Sequence, residues 1–168
     1  MTNKKVNNNI TIENARIIFR NFSGAESQYN PAGKRNFCVL IDDDLASVLI
    51  EDGWNVKYLK PVDENDDPQA YMQVSVSYNT IPPKIVMVSS KGKTVLDETN
   101  VGQLDYADIA RVDMIIRPYN WEVRGTTGVK GYVKSLWVTI EEDELEKKYM
   151  TVPELSSGPN AVSEDDEN

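Results

Sequence analysis

From Ile10 onward, apolar residues alternate with polar ones or run in short blocks: "ITIENARIIFRNF", "NFCVLI", "WNVKYL", "AYMQVSVSY", "KIVMV", "VDMIIRPYNWEV" and "GVKGYVKSLWVTI". Successive strand residues point to opposite faces, so a period of two marks half-buried strands. The blocks are rich in Val, Ile, Tyr, Phe and Trp and are bounded by Gly, Pro, Asn and Asp, which is strand and turn punctuation. A mainly β body is therefore expected over residues 10–149. Helical spacing is confined to a few places. "DDDLASVLIEDG" offers an Asp N-cap, an apolar face of Leu45, Val48 and Leu49, and Gly53 to end the helix. "DYADIA" predicts a short helical turn. "EEDELEKKYM" predicts a final helix with acids in its first turn and lysines in its last, as the helix dipole favours. Residues 1–9 are polar and Asn-rich and read as a flexible arm. Residues 150–168, with two Pro and a closing acidic run, read as a disordered tail.

One segment, "RPYNWEVRGTTGVKGYVKSLWV", combines both features of a binding surface. It reads as a hairpin, with Gly125 and Gly128 available for the positive φ of a turn and Pro118 marking an edge or a bulge. Period two puts Arg117, Tyr119 and Trp121 on one face of its first strand and Lys130, Tyr132 and Lys134 on one face of its second. If register brings the two faces to the same side, aromatic rings stand among cations. That suits single-stranded nucleic acid, whose free base faces stack on rings while Lys and Arg follow the phosphates. Arg124 in the turn adds charge, and Lys34, Arg35 and Phe37 extend the candidate surface at the start of an earlier strand. Against this stands ordinary packing of aromatic residues in strands. Trp54 and Trp137, flanked by apolar neighbours, are assigned to the core on that ground.

Composition narrows the function classes. The 168 residues suffice for one domain with a tail. No apolar run approaches the roughly 20 residues a bilayer requires, and the N-terminus lacks the apolar stretch of a signal peptide. With the lone Cys38, this points to a soluble protein of a reducing cytoplasm that has no membrane partner. The chain has no histidine, which removes the commonest general base and zinc ligand. The net charge of -9 is unfavourable to phosphate, but its distribution is not. Glu154, Glu164, Asp165, Asp166 and Glu167 lie beyond residue 150 without a single Lys or Arg, and more acid precedes them in the final helix, so the body is nearly neutral.

Other motifs fail on chemistry. "SSKGKT" has Met87 where a P-loop needs its first Gly. The loop from Asp63 alternates Asp63, Asn65 and Asp67 like a calcium site, but has Pro68 at the sixth position and Val74 at the twelfth. Asp42, Asp43 and Asp44 are explained by helix capping. No metal site and no catalytic constellation are expected.

The blocks "NFSG", "YNPAGKRNFCVLIDD", "EDGWNVKYLKP", "PPKI", "GKT", "RPYNWEV" and "GVKGYVKSLWVTIEEDELEKKY" together resemble the single-stranded DNA-binding proteins of tailed bacteriophages, over roughly residues 12–149. The resemblance implies an OB-like β-barrel, five-stranded or elaborated, with one inserted helix and a C-terminal helix. It implies a protein without cofactor or catalysis that coats single-stranded DNA in phage replication, recombination and repair inside the host bacterium. It further implies that the acidic tail, Glu164, Asp165, Asp166 and Glu167, meets phage or host replication proteins and competes with DNA for the basic face. A β-rich structural or adaptor protein of the phage particle is the alternative.

Overall fold

The structure, a computed structural model, describes residues 5–79, 81–149 and 152–153. Among the described residues there are nine strands, all but β7 falling on the alternating blocks: β1 (Ile10–Ala15), β2 (Ile17–Asn21), β3 (Arg35–Ile41), β4 (Val56–Leu59), β5 (Gln69–Val76), β6 (Lys84–Ser89), β7 (Gly92–Leu96), β8 (Ile109–Val123) and β9 (Thr126–Ile140). Helix α1 (Asp43–Asp52) separates β3 from β4, and α2 (Glu144–Tyr149) follows β9. The body is mainly β with one helix inserted between strands.

Local chemistry sets the helix ends. The Asp42 carboxylate accepts the Leu45 N–H at 2.8 Å, and Gly53 closes α1 at φ 97°, a left-handed cap that costs other residues strain. Ala46 and Leu49 are the buried residues of α1, and Val48, expected on the inner face, is exposed. The helical turn expected at "DYADIA" lies earlier, over Val101–Asp105, where Val101 and Leu104 are buried.

The sheet runs β1, β8, β9, β5, β3, β2, with β4 beside β5 and the β6–β7 hairpin beside β9. β5 and β9 pair in parallel, as do β6 and β9, while the other pairs are antiparallel. β1 and β2, at the two ends of this path, are halves of one contiguous stretch broken at Arg16, whose carbonyl accepts the Leu40 N–H of β3 at 3.0 Å. The inner face carries Phe37, Val39 and Ile41 of β3, Met72 and Val74 of β5, Met114 and Ile116 of β8, and Val133 and Leu136 of β9, all buried in one cluster with Trp54. Burial of apolar surface at roughly 25 cal/mol per Å² is the main term holding these strands. Part of the arm expected to be loose is docked. Asn120 accepts the Val6 N–H at 2.9 Å and donates to the Val6 carbonyl at 2.7 Å.

Candidate nucleic-acid interface

The long hairpin β8–β9 turns on two residues, Arg124 at φ 51° and Gly125 at φ 82°. Both central residues with positive φ make the turn whose twist suits paired strands, and Asn–Gly is its usual sequence. Gly128 is therefore not a turn residue, as the sequence suggested, but lies within β9 opposite Trp121. Pro118, opposite Gly131, sits past the last β1 pair at Ile116, so its missing N–H interrupts no ladder on that side.

Register answers whether the two hairpin faces coincide. Arg117 pairs with Tyr132, Tyr119 with Lys130, and Trp121 with Gly128, and paired residues share a face. The rings and cations thus stand together on the outer side of the sheet. The Tyr119 and Tyr132 rings meet edge to face at 5.9 Å and 84°. Arg117 Cζ lies 5.5 Å, and Lys130 Nζ 5.1 Å, from the Tyr132 centroid. Tyr119 is 52% exposed, and the Trp121 indole lies over Gly128, where a Cβ would come within 2.5 Å of it. Beside them a cleft of about 450 Å³ opens between Asn55, Gln73, Ser75, Trp121, Gly128 and Lys130. Trp54, Met72 and Val129 also line it, so polar groups and apolar surface, two indoles included, meet there as a base with its flat face and polar edge requires.

Other expected site residues lie elsewhere. Phe37 is fully buried and stacked on Phe22 at 5.2 Å, which corrects its assignment to the surface. By alternation Phe37 shares the inner side of β3 with Val39 and Ile41, and only core packing is open to it. Arg35, on that same side at the strand's edge, is held by Glu98 at 3.6 Å and lies 5.4 Å from the Tyr78 ring. Its role is to tie β3 to the segment after β7, and the structure does not bring it to the hairpin cations. Lys34 is exposed in the loop just before β3. Lys134 is exposed at a bulge, the extra residue of β9 between Val133, opposite Ile116, and Ser135, opposite Ile115. The tail residues Glu164, Asp165, Asp166 and Glu167 lie outside the described residues.

That bulge has a second effect. One extra residue exchanges inner and outer positions along the rest of β9, so Leu136 and Val138 are buried while Trp137 faces outward. The assignment of Trp137 to the core is corrected accordingly: it is half-buried, with Lys84 Nζ at 5.1 Å and Lys93 Nζ at 5.7 Å from its ring. Trp54 is buried, as expected. Sequence reading missed Lys84 and Lys93, because their proximity to Trp137 depends on the β6–β9 and β6–β7 pairings. Tyr29 is 88% exposed in the loop before β3, a loop closed by the Gly33 N–H donating to the Gly24 carbonyl at 2.8 Å.

Among the described residues no cluster of His, Cys, Asp or Glu could hold a metal ion, and no helix is long and apolar enough to cross a membrane. Burial holds the Cys38 thiol above its ordinary value, with Lys57 pulling the other way. Burial likewise raises the Tyr78 phenol, against the opposing charge of Arg35.

The structure is similar to that of the single-stranded DNA-binding protein of bacteriophage Enc34 in complex with ssDNA. The TM-score is 0.52 and the identity 14%, over 83% of this chain and 94% of that one. A second structure of the Enc34 protein matches at TM-score 0.52 and 12% identity, over 95% of this chain and 97% of that one. At such identities the likeness is one of fold. Comparison with curated proteins found no match. The model of the phage ssDNA-binding domain family matches residues 1–168, the full length of the sequence, and the chain belongs to that family.

Proposed function

We propose that the protein binds single-stranded DNA with little regard to sequence, without catalysis, across the outer face of β8 and β9. The observation that carries this is the register pairing of Arg117 with Tyr132, Tyr119 with Lys130 and Trp121 with Gly128. Tyr119, Trp121 and Tyr132 stack on bases. Arg117, Arg124, Lys130 and Lys134 meet phosphates, with Lys34 further along the track. The strand path supports reading the body as an elaborated OB-like barrel: β1 and β2 act as one bent first strand bonded to β8 at one end and β3 at the other, and β5 lies parallel to β9. OB folds bind oligonucleotides on the face of their second and third strands and with the loop that joins the fourth and fifth, the place the tip of the β8–β9 hairpin takes in this path. In this reading the protein coats and protects single strands during phage replication, recombination and repair in the host cell, and the acidic tail contacts replication proteins and competes with DNA.

Titration of oligo-dT into the full chain at two salt concentrations, followed by Trp fluorescence, tests the proposal. Quenching at low salt that fades at high salt is expected, with most of it lost in Trp121→Phe. Each phosphate contact contributes about 0.7 to the slope of log affinity against log salt. Removal of residues 150–168 should tighten binding. If neither the full chain nor the shortened one binds oligo-dT at low salt, the proposal fails and a structural or adaptor role takes its place.

A further inference from the structure

The far end of the long hairpin carries another aromatic ring among cations, where the β6–β7 hairpin joins β9 off the main strand path. We propose that Trp137, Lys84 and Lys93 form an auxiliary contact for single-stranded DNA, which takes up the strand after it has left the rings near the hairpin tip. The inference rests on the binding reading above and adds to it a surface built by the inserted β6–β7 hairpin.

Pairing places the three residues on one face. β6 runs parallel to β9, with Lys84 opposite Ser135, Val86 opposite Trp137 and Val88 opposite Thr139, and β7 sets Lys93 opposite Val88. Paired residues share a face, and past the bulge at Lys134 it is Ser135, Trp137 and Thr139 of β9 that face outward. The two exposed lysines therefore flank the indole from the rows on either side of it, in keeping with the 5.1 Å and 5.7 Å that separate them from its ring. Arg111 pairs with Thr139 and adds a third cation, in the row of Lys93.

Packing accounts for only part of this arrangement. Val86 faces outward and is still only 1% exposed, as expected where the indole lies over it. An aliphatic side chain would cover Val86 as well, and would not gather cations. Two like charges beside one ring repel each other, and among the described residues neither lysine is salt-bridged to a carboxylate. Asp113, which pairs with Trp137, is engaged elsewhere: its Oδ1 accepts the Asn14 N–H at 2.8 Å. A phosphate group held between Lys84 and Lys93 relieves their repulsion, and a base laid against the indole uses the ring that the cations already polarise.

The patch continues the hairpin surface. On β8, Arg117 lies opposite Tyr132 and Asp113 opposite Trp137. Four residues at about 3.3 Å each put the two rings about 13 Å apart. That is about four nucleotides at a rise of about 3.4 Å, and fewer in an extended strand, so DNA held at Tyr132 reaches Trp137. Val95, 66% exposed, is the apolar neighbour that β7 adds to the row of Trp137. One half-buried ring and one valine offer little apolar area for a protein contact, whereas the surrounding cations complement a phosphate chain.

The test uses the full chain and fluorescein-labelled oligo-dT of about 16 nucleotides, the upper end of what one OB fold occupies. The double variant Lys84→Gln/Lys93→Gln removes both charges and keeps most of each stem, so its Tm should stay within about 3 °C of wild type. Its slope of log affinity against log salt should be shallower by about 1.4, which is about a 25-fold loss of affinity at 0.1 M salt relative to 1 M. Trp137→Leu should bind about 5- to 150-fold more weakly, the range of one lost stacking contact, and Trp137→Phe should retain most of the affinity. An unchanged salt slope in the lysine variant overturns the inference, and so does wild-type affinity in Trp137→Leu; the patch would then serve packing or a protein partner. If Trp137→Leu melts early, the lysine variant, whose substitutions lie at the surface, decides. Absence of oligo-dT binding by wild type would instead remove the underlying functional reading.

Discussion

Gly128 and Gly131 lie three residues apart on β9 and face opposite ways, so the same substitution at each should separate binding from stability. A Cβ at Gly128 would lie 2.5 Å from Cζ2, 2.7 Å from Cε2 and 2.9 Å from Nε1 of Trp121. Ordinary carbon contacts are about 3.5–4.0 Å, so the indole must shift by roughly 1 Å. Trp121 sits at the surface and has room to do so at little cost to the fold, but it then no longer presents its ring beside the cleft. A Cβ at Gly131 would lie 2.9 Å from Ile116 Cγ2 and 3.3 Å from Trp54 Cζ3, both in the core. Overpacking of that kind costs about 1–3 kcal/mol, or a fall in Tm of roughly 2–12 °C at this chain length. Gly128→Ala is thus expected to keep its Tm within about 3 °C and to lose about 5- to 150-fold in oligo-dT affinity, the range of one lost stacking contact. Gly131→Ala should do the reverse. Thermal melts and fluorescence titrations measure both quantities. A double-mutant cycle decides the mechanism: in a Trp121→Ala background, Gly128→Ala should cause no further loss. An undiminished loss there would refute action through the indole.

Arg124→Asn replaces a strained residue of the hairpin turn by one that favours left-handed φ. It should stabilise the fold by about 0.5–1 kcal/mol in denaturant titrations while making the salt dependence of binding shallower by about 0.7. Arg35→Ala should lower stability by about 1 kcal/mol through loss of Glu98 and Tyr78 contacts, with the salt slope unchanged. For Cys38, whose folded-state thiol titrates above its ordinary value, the neutral form is the one the fold favours. Stability from that source is complete below roughly pH 8.5 and is lost as pH rises through the folded-state value. Urea melts at increasing pH should show that decline in wild type and not in Cys38→Ser.

Apart from β7, whose "GKTVL" lies outside the alternating blocks, the strands were legible because alternation is a local signal, and so were both ends of α1, where Asp42 and Gly53 cap by their own chemistry. Pairing was not. Arg117 and Tyr132 share a face because of hairpin register, and that depends on a two-residue turn at Arg124 and Gly125, where the sequence offered Gly125 and Gly128 as the turn glycines. Trp137 was misplaced because apolar neighbours were taken as a sign of burial: past the Lys134 bulge Leu136 and Val138 are the inward residues, and alternation turns the indole between them outward. Phe37 and Arg35 were drawn to the surface by their neighbours in sequence, whereas strand alternation, applied outward from Val39 and Ile41, would have turned both inward.

The first strand has a further consequence, in the order of folding. Ile10 pairs with Ile116, so β1 cannot find its place until about 100 residues have followed it. Closing a loop of that length costs about 4 kcal/mol of chain entropy, whereas β8 and β9 are brought together by a turn of two residues. The hairpin is expected to form early and the N-terminal strand late, after β8 offers its free edge. Pulsed hydrogen exchange during refolding should therefore protect amides of Thr126–Ile140 before those of Ile10–Ala15. On a ribosome the same order leaves the start of the chain waiting, its strand edge unpaired, until the segment that carries Arg117 and Tyr119 has emerged.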